Sequence, residues 1–360
     1  LYLRIVVLFH FLAHLAFGLS ACMRSEGSPV AAMRCMVLGA VANLVLDPLK
    51  AAQWEIEQSE QIFPLGTFRD VSAEAEPRKP AEPKPTPYSI VWMSDTQNLS
   101  RHYPEVFNGM RDWVLEHREE WNIVFFAHTG DVVDGCSVFM WDAATEALMP
   151  VLETIPSMIA SGNHDITVDN THSLFAKRPY AQAVQHEGQT FRDGEAAYVT
   201  FEAGGDEFLV FGIGYSVRGS KLRDWIREVS TAHPDAIVLY VMHYGLQEDG
   251  RYSGQARDLF ETVIAENPNA RLLICGHFHG TQLRVDRFDD DGDGEDERSF
   301  TTMMFNLQDD RVDGLGFMRL LTFDPMTRSI LVRTYSPWFD QWGYSKADPG
   351  TNTFTLENAF

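Results

Sequence analysis

Past residue 87 the chain alternates short apolar runs with segments whose apolar residues recur every three or four positions, and this alternation confines it to the α/β class. Residues 89–93, 123–127, 158–160, 237–242 and 272–275 read as buried strands, largely apolar throughout rather than at alternate positions. Between them helical spacing appears at Val106, Met110, Trp113 and Val114, and again at Trp141, Ala144, Leu148 and Leu152. Two further helices are expected around Leu222, Trp225, Ile226 and Val229 and around Leu259, Phe260, Val263 and Ile264. Strand-like runs at 197–201, 207–213, 301–305, 317–323 and 329–335 come in hairpin-like pairs, so the sheets should contain substantial antiparallel pairing.

Two stretches of different character precede this region. Residues 5–22 contain no Asp, Glu, Lys or Arg, follow Arg4, and end in Leu19-Ser20-Ala21-Cys22, which resembles an export signal closed by a bacterial lipoprotein box. The expectation is an exported protein, periplasmic or at the cell surface, attached to the membrane through a lipid on Cys22. His10 and His14 interrupt the apolar run and the sequence opens on Leu1, so a cytoplasmic protein with a mis-assigned start is the alternative. Residues 36–46 are apolar but too few to cross a bilayer. Pro77, Pro80, Pro83, Pro85 and Pro87 stand among Glu, Lys and Ala, a composition suited to an extended linker. The expected organisation is a leader over 1–22, a low-complexity and linker segment over 23–87, and one domain over 88–360.

A chain of 360 residues, 45% of them hydrophobic, can bury one large core. Its formal charge of −22 repels polyanions at long range, which argues against a stable nucleic-acid partner. A small phosphate ester held by cations is not excluded, because bound ions reverse the local field. Cys22, Cys35, Cys136 and Cys275 are too few for a disulfide framework, and Cys136 and Cys275 read as small buried side chains.

The chemistry lies where the apolar runs stop. In order, the runs end in Ser94-Asp95-Thr96-Gln97, Gly130-Asp131-Val132-Val133-Asp134, Gly162-Asn163-His164-Asp165, Met242-His243 and Gly276-His277-Phe278-His279. Ligands of open α/β sheets gather at the carboxyl ends of strands, so five such endings can converge on one crevice. Three of the five carry a glycine just before the ligand-type residues, as a sharp turn after a strand requires.

This series resembles the calcineurin-like metallophosphoesterase superfamily, whose pattern is Asp-x-His, Gly-Asp-x-x-Asp, Gly-Asn-His-Asp/Glu, His and Gly-His-x-His. The resemblance runs from about Ser94 to His279 and implies a four-layer α/β/β/α sandwich of two mixed β-sheets flanked by helices. It implies two divalent ions, one held by Asp95, Gln97, Asp131 and His279 and the other by Asp131, Asn163, His243 and His277, with Asp131 bridging. The implied reaction is hydrolysis of a phosphate mono- or diester by hydroxide shared between the ions. His164 would protonate the leaving group, with Asp165 orienting its ring; Asp134 and His128 would brace ligands, and Tyr244 and His102 would face substrate. Gln97 departs from the pattern. An amide oxygen is a harder and weaker ligand than imidazole, so the first site should favour Mn²⁺ or Mg²⁺ over Zn²⁺, with Fe²⁺ an alternative.

Asp289-Asp290-Asp291-Gly292-Asp293-Gly294 has the carboxylate spacing that opens a calcium loop. Phe300 stands where the bidentate Glu should be, so a solvated hairpin tip is expected over Asp289–Asp293 rather than a Ca²⁺ site. Two other readings of the whole stay open: a non-catalytic metal-binding or interaction protein, for which the altered first motif would be the mark, and a nuclease, which the acidic balance disfavours. Replacing Gln97→His should tighten the first site, above all for Zn²⁺ or Fe²⁺; equal affinities of the two proteins in titration calorimetry would remove Gln97 from the ligand set.

Overall fold

Successive residues of the first strand face two different cores, as they must in a strand covered on both sides. In β1 (Tyr88–Met93) Ile90 and Trp92 enter a core shared by two sheets, while Val91 and Met93 enter one shared with helices. This is a computed structural model that describes residues 85–360, apart from 136, 167–171, 173, 187, 309–315 and 345–348. The leader-like run with Cys22, the segment 23–84 and Cys136 lie outside the described residues.

The strands after β1 are β2 (Ile123–His128), β3 (Ser157–Ile159), β4 (Thr190–Phe191), β5 (Ala196–Ala203), β6 (Asp206–Ile213) and β7 (Ile237–Met242). They continue as β8 (Ala270–Cys275), β9 (Gly280–Phe288), β10 (Arg298–Asn306), β11 (Met318–Asp324), β12 (Ser329–Ser336), β13 (Gln341–Trp342) and β14 (Thr353–Leu356). The helices are α1 (Gln97–His102), α2 (Pro104–Glu116), α3 (Val138–Leu152), α4 (Pro179–Ala183), α5 (Ser220–Ala232), α6 (Gly254–Leu259) and α7 (Pro349–Asn352).

One sheet has the order β13-β12-β11-β1-β2-β3, with β14 also on β12. The other runs β4-β5-β6-β7-β8-β10-β9. Both are mixed: β1, β2 and β3 are parallel, as are β6, β7, β8 and β10, and the flanking pairs are antiparallel. Three cores separate four layers. The central one joins the sheets through residues such as Trp92, Phe125, Val210, Leu239, Ile274 and Leu321. A second lies under α2, α3 and α4, and a third under α5 and α6. The sandwich implied by the strand-end motifs is therefore the observed architecture.

Most apolar runs fold where expected, with ends that move by no more than three residues. The ninth strand is different. It is an edge strand whose burial alternates and whose sequence includes Arg284, Asp286 and Arg287, so it lacks the apolar run that marks the central strands. Past α6 the helix widens into a π-turn over Phe260–Ile264, which keeps Val263 and Ile264 buried.

Aromatic packing fixes the spacing of the sheets. Phe208 on β6 is fully buried, stacks on Phe201 (4.8 Å between centroids), and meets Tyr88 and Phe323 of the opposite sheet edge-on at 6.0 and 5.9 Å. Phe208→Ala should therefore cost about 3–5 kcal/mol, read as a lowered urea midpoint at unchanged slope.

Candidate metal centre

Because β1, β2 and β3 are parallel, and β7 and β8 likewise, their carboxyl ends deliver Asp95, Asp131 and Asn163 from one sheet and His243, His277 and His279 from the other. Three of these residues hold left-handed backbone: Asp95 (φ 53°), Asp131 (φ 52°) and His277 (φ 73°). That conformation costs a non-glycine residue roughly 1–2 kcal/mol, and it marks turns held in place by their surroundings. Gly130 is left-handed too (φ 95°), as a turn-making glycine should be. Gly162 and Gly276 answer to space instead. A Cβ on Gly162 would strike the side chain and backbone of Asp131, and one on Gly276 the side chains of Asp95 and Ser94.

The tightest group forms around His243, which is fully buried. Its Nδ1 donates to the carbonyl of Thr129 (2.9 Å), which leaves Nε2 of the neutral ring as a lone pair. That nitrogen lies 3.0 Å from Asn163 Oδ1, 3.1 Å from Asp131 Oδ2 and 3.1 Å from His277 Nδ1. Protons can relieve only some of these contacts, whereas one divalent cation would satisfy all four atoms, so the donor set fits such an ion. The field here already favours positive charge: burial disfavours the charged ring, yet Asp131, Asp95 and the Thr129 carbonyl together outweigh it and push the pKa of His243 up to about 9.

Asp131 also reaches the first group. Its Oδ1 accepts the backbone N–H of His164 (2.8 Å), while Oδ2 stands between His243 Nε2 and the Gln97 amide, 3.4 Å from the latter. The amide is oriented by its neighbours. One end lies 2.9 Å from the carbonyl oxygen of Asp95 and 3.0 Å from that of Asp131, so it is the NH₂ and donates to both. The oxygen is then the end that faces Asp131 Oδ2, and it accepts from Gln308 Nε2 at 2.9 Å. Asp95 accepts the N–H of His277 (3.2 Å) and the hydroxyl of Ser94. Burial pushes its pKa up to about 7, with Asp131 adding to the rise and His243 opposing it. His279 is exposed and joins this looser group through Gln308, 3.4 Å away.

Around the ligands, Asp134 rather than Asp165 lies against the His164 ring, 2.7 Å from Nδ1. Asp134 also pairs with Arg101; against the upward push of burial, these two hydrogen bonds hold its carboxyl below the usual range. Asp165 is turned inward, accepting the backbone N–H of Val133 (3.1 Å) and of Gly162 (2.8 Å), so it binds the second and third strand-end loops together. The expectation that Asp165 orients His164 is corrected on this point: its oxygens face backbone donors. His128 is buried, accepts from Gly130 N–H at Nδ1 (3.1 Å) and lies 3.0 Å from the Thr96 hydroxyl at Nε2, bridging the first two loops. Burial drives its pKa down to about 3, so it stays neutral. Tyr244 packs edge-on against the His277 ring at 4.9 Å, and His102 is exposed on the last turn of α1. The mouth is a cavity of about 270 Å³ lined by Asp131, Asn163, His277 and His279 together with His164, Gln308 and Glu248.

Residues 88–281 match the family model described as calcineurin-like phosphoesterase. The chain belongs to the calcineurin-like phosphoesterase family. Members of this family are typically dinuclear metal hydrolases. A relative, the uncharacterized protein YvnB of Bacillus subtilis (strain 168), is 30% identical over 268 residues, which is 72% of this chain and 21% of YvnB; the chain thus spans about a fifth of that relative. Among solved structures, GAP50, the anchor in the inner membrane complex of Plasmodium, aligns with a TM-score of 0.47 at 11% identity, over 75% of this chain and 88% of GAP50. TT1561 of Thermus thermophilus aligns with a TM-score of 0.42 at 13% identity, over 70% of this chain and all of TT1561.

The phosphoesterase motifs did not point to Gln308 or to Asn306, both brought to the crevice by β10. No sequence signal pointed to them: the pairing of β10 parallel to β8, which brings polar residues after Phe305 to the end of the sheet where His277 lies, emerges only from the structure. The acidic stretch forms the tip of the β9–β10 hairpin, where Asp289 accepts the N–H of Gly292, Asp293 and Gly294. Glu297, beyond the acidic run itself, joins Asp289, Asp291 and Asp293 there, all four exposed with oxygens within 4.8 Å of one another.

The space at Gly276 is testable. Gly276→Ala meets only side-chain ends, which can yield, so the protein should fold but displace the Asp95 carboxylate; elemental analysis should then find at least one divalent ion fewer per chain than in the parent protein.

Proposed function

We propose that this phosphoesterase hydrolyses a small phosphate mono- or diester with two divalent cations. One is held by Asp95, Gln97, Asp131 and His279, and the other by Asp131, Asn163, His243 and His277. The observation that carries this reading is the meeting of Asn163 Oδ1, Asp131 Oδ2 and His277 Nδ1 within about 3 Å of His243 Nε2, with the tautomer of His243 fixed by Thr129. Bound cations would supply Lewis acidity toward a phosphoryl oxygen and bring the ionisation of water toward neutral pH. An oxygen-rich first group, with an amide in place of imidazole, suits Mn²⁺ or Mg²⁺ better than Zn²⁺.

The chain's own part is to position and to move a proton. His164 borders the cavity beside Asn163, and its Nδ1 is held by Asp134, which in turn is paired with Arg101. Asp134 thus fixes the ring, so that Nε2 is the atom able to protonate a departing alkoxide. Glu248 at the rim and the overall charge of −22 disfavour polyanionic substrates, which supports a small ester.

The test is hydrolysis of a chromogenic phosphodiester and phosphomonoester by chelator-stripped protein after Mn²⁺ is restored. Turnover should return with the metal, and His164→Ala should retain both ions but lose at least ~100-fold in turnover. Full activity in the presence of excess chelator would sink the proposal, and unchanged turnover in the variant would remove His164 from it.

A further inference from the structure

Gln308 has a place in the crevice that none of the strand-end motifs assigns. It follows β10, and a single buried side chain fixes its backbone: Asn306 donates from Nδ2 to the carbonyl of His277 (3.1 Å) and accepts the N–H of Gln308 at Oδ1 (3.0 Å). The Gln308 amide then reaches residues of the opposite sheet's loops. Both ends of its amide crowd the Gln97 oxygen, Nε2 at 2.9 Å and Oε1 at 2.7 Å, and Nε2 is the end that can donate to it; Oε1 accepts from Asn98 Nδ2 (3.3 Å) and lies 3.2 Å from the Gln97 nitrogen. The same Nε2 lies 3.4 Å from His279 Nε2.

An imidazole can present only nitrogen to a cation. A primary amide has two ends of opposite polarity on a soft terminal torsion, so half of its orientations would aim N–H at the ion. Two backbone carbonyls hold the NH₂ of Gln97 away from the crevice, and an N–H donor must then hold the oxygen in it. Gln308 is that donor. An amide oxygen has two lone pairs, so one can accept from Gln308 while the other faces a cation.

Resting on the reading of Asp95, Gln97, Asp131 and His279 as a cation site, we propose that Gln308 is the positioning residue of that site. It locks the Gln97 amide with oxygen inward and ties it to His279, a task that exists because Gln97 stands where the family has histidine.

The experiment is calorimetric titration of the metal-stripped full chain with Mn²⁺ alone, and the readout is affinity at each of two sites. Gln308→Ala should weaken one site about 10–100-fold while the other changes less than about twofold, the intact site also reporting that the protein is folded. Gln308→Glu removes the donor and adds charge; a similar loss is expected, and a tightened site would overturn the proposal by making residue 308 a ligand. In the Gln97→His background, which needs no amide orientation, Gln308→Ala removes only the contact with His279 and should cost clearly less than in the parent, and an undiminished loss there would also overturn it. Two sites in the parent chain, both unaffected by Gln308→Ala, would defeat this proposal alone. A parent chain that binds no Mn²⁺ would defeat the cation-site reading on which it rests.

Discussion

Three carboxylates, those of Asp95, Asp131 and Asp165, are buried around one crevice, and in so poor a solvent for charge they cannot all ionise without positive charge among them. Asp95 and Asp165 answer by rising to about 7, chiefly through burial. Asp131 stays ionised because the buried His243 ring stands beside it. The rest of the site follows from holding that concentration of acceptors together. Left-handed turns at Asp95, Asp131 and His277 aim the donors, and Gly162 and Gly276 leave room for two of the carboxylates. The large stacked core behind them supplies the stability that such a strained, polar crevice consumes.

Much of this was legible from the residues, because periodicity reports burial. The central strands are covered on both faces and so appear as unbroken apolar runs, and helices α2, α3 and α5 as stripes of period 3.6. The ninth strand was not legible, since an edge strand with one wet face is written in mixed polar and apolar residues. The strand-end residues announced themselves as ligands by type and order. Which carboxylate touches which ring did not follow from order, and the exchange of roles between Asp134 and Asp165 shows why. Both lie within a few positions of a motif histidine or aspartate, and only the turn geometry after β3 decides which of them meets His164 and which meets backbone N–H groups.

The substitution of amide for imidazole at Gln97 shows how one change of ligand type spreads outward. A histidine ring would need one hydrogen-bond partner to fix its tautomer, as Thr129 does for His243. The amide needs acceptors at one end and a donor at the other. It draws these from the backbone of Asp95 and Asp131 and from the side chain of Gln308, three separate segments of chain.

The donors of the tight group come half from each sheet: Asp131 and Asn163 follow β2 and β3, while His243 and His277 follow β7 and β8. Away from this crevice the sheets meet chiefly through close-packed apolar side chains, which resist separation but carry little directional preference. An ion clasped at this seam would act as a rivet between the two layers, pinning their sliding to ångström tolerance at the one edge where reactive groups must align. Filling the crevice would thereby couple ion occupancy to the shear stiffness of the sandwich.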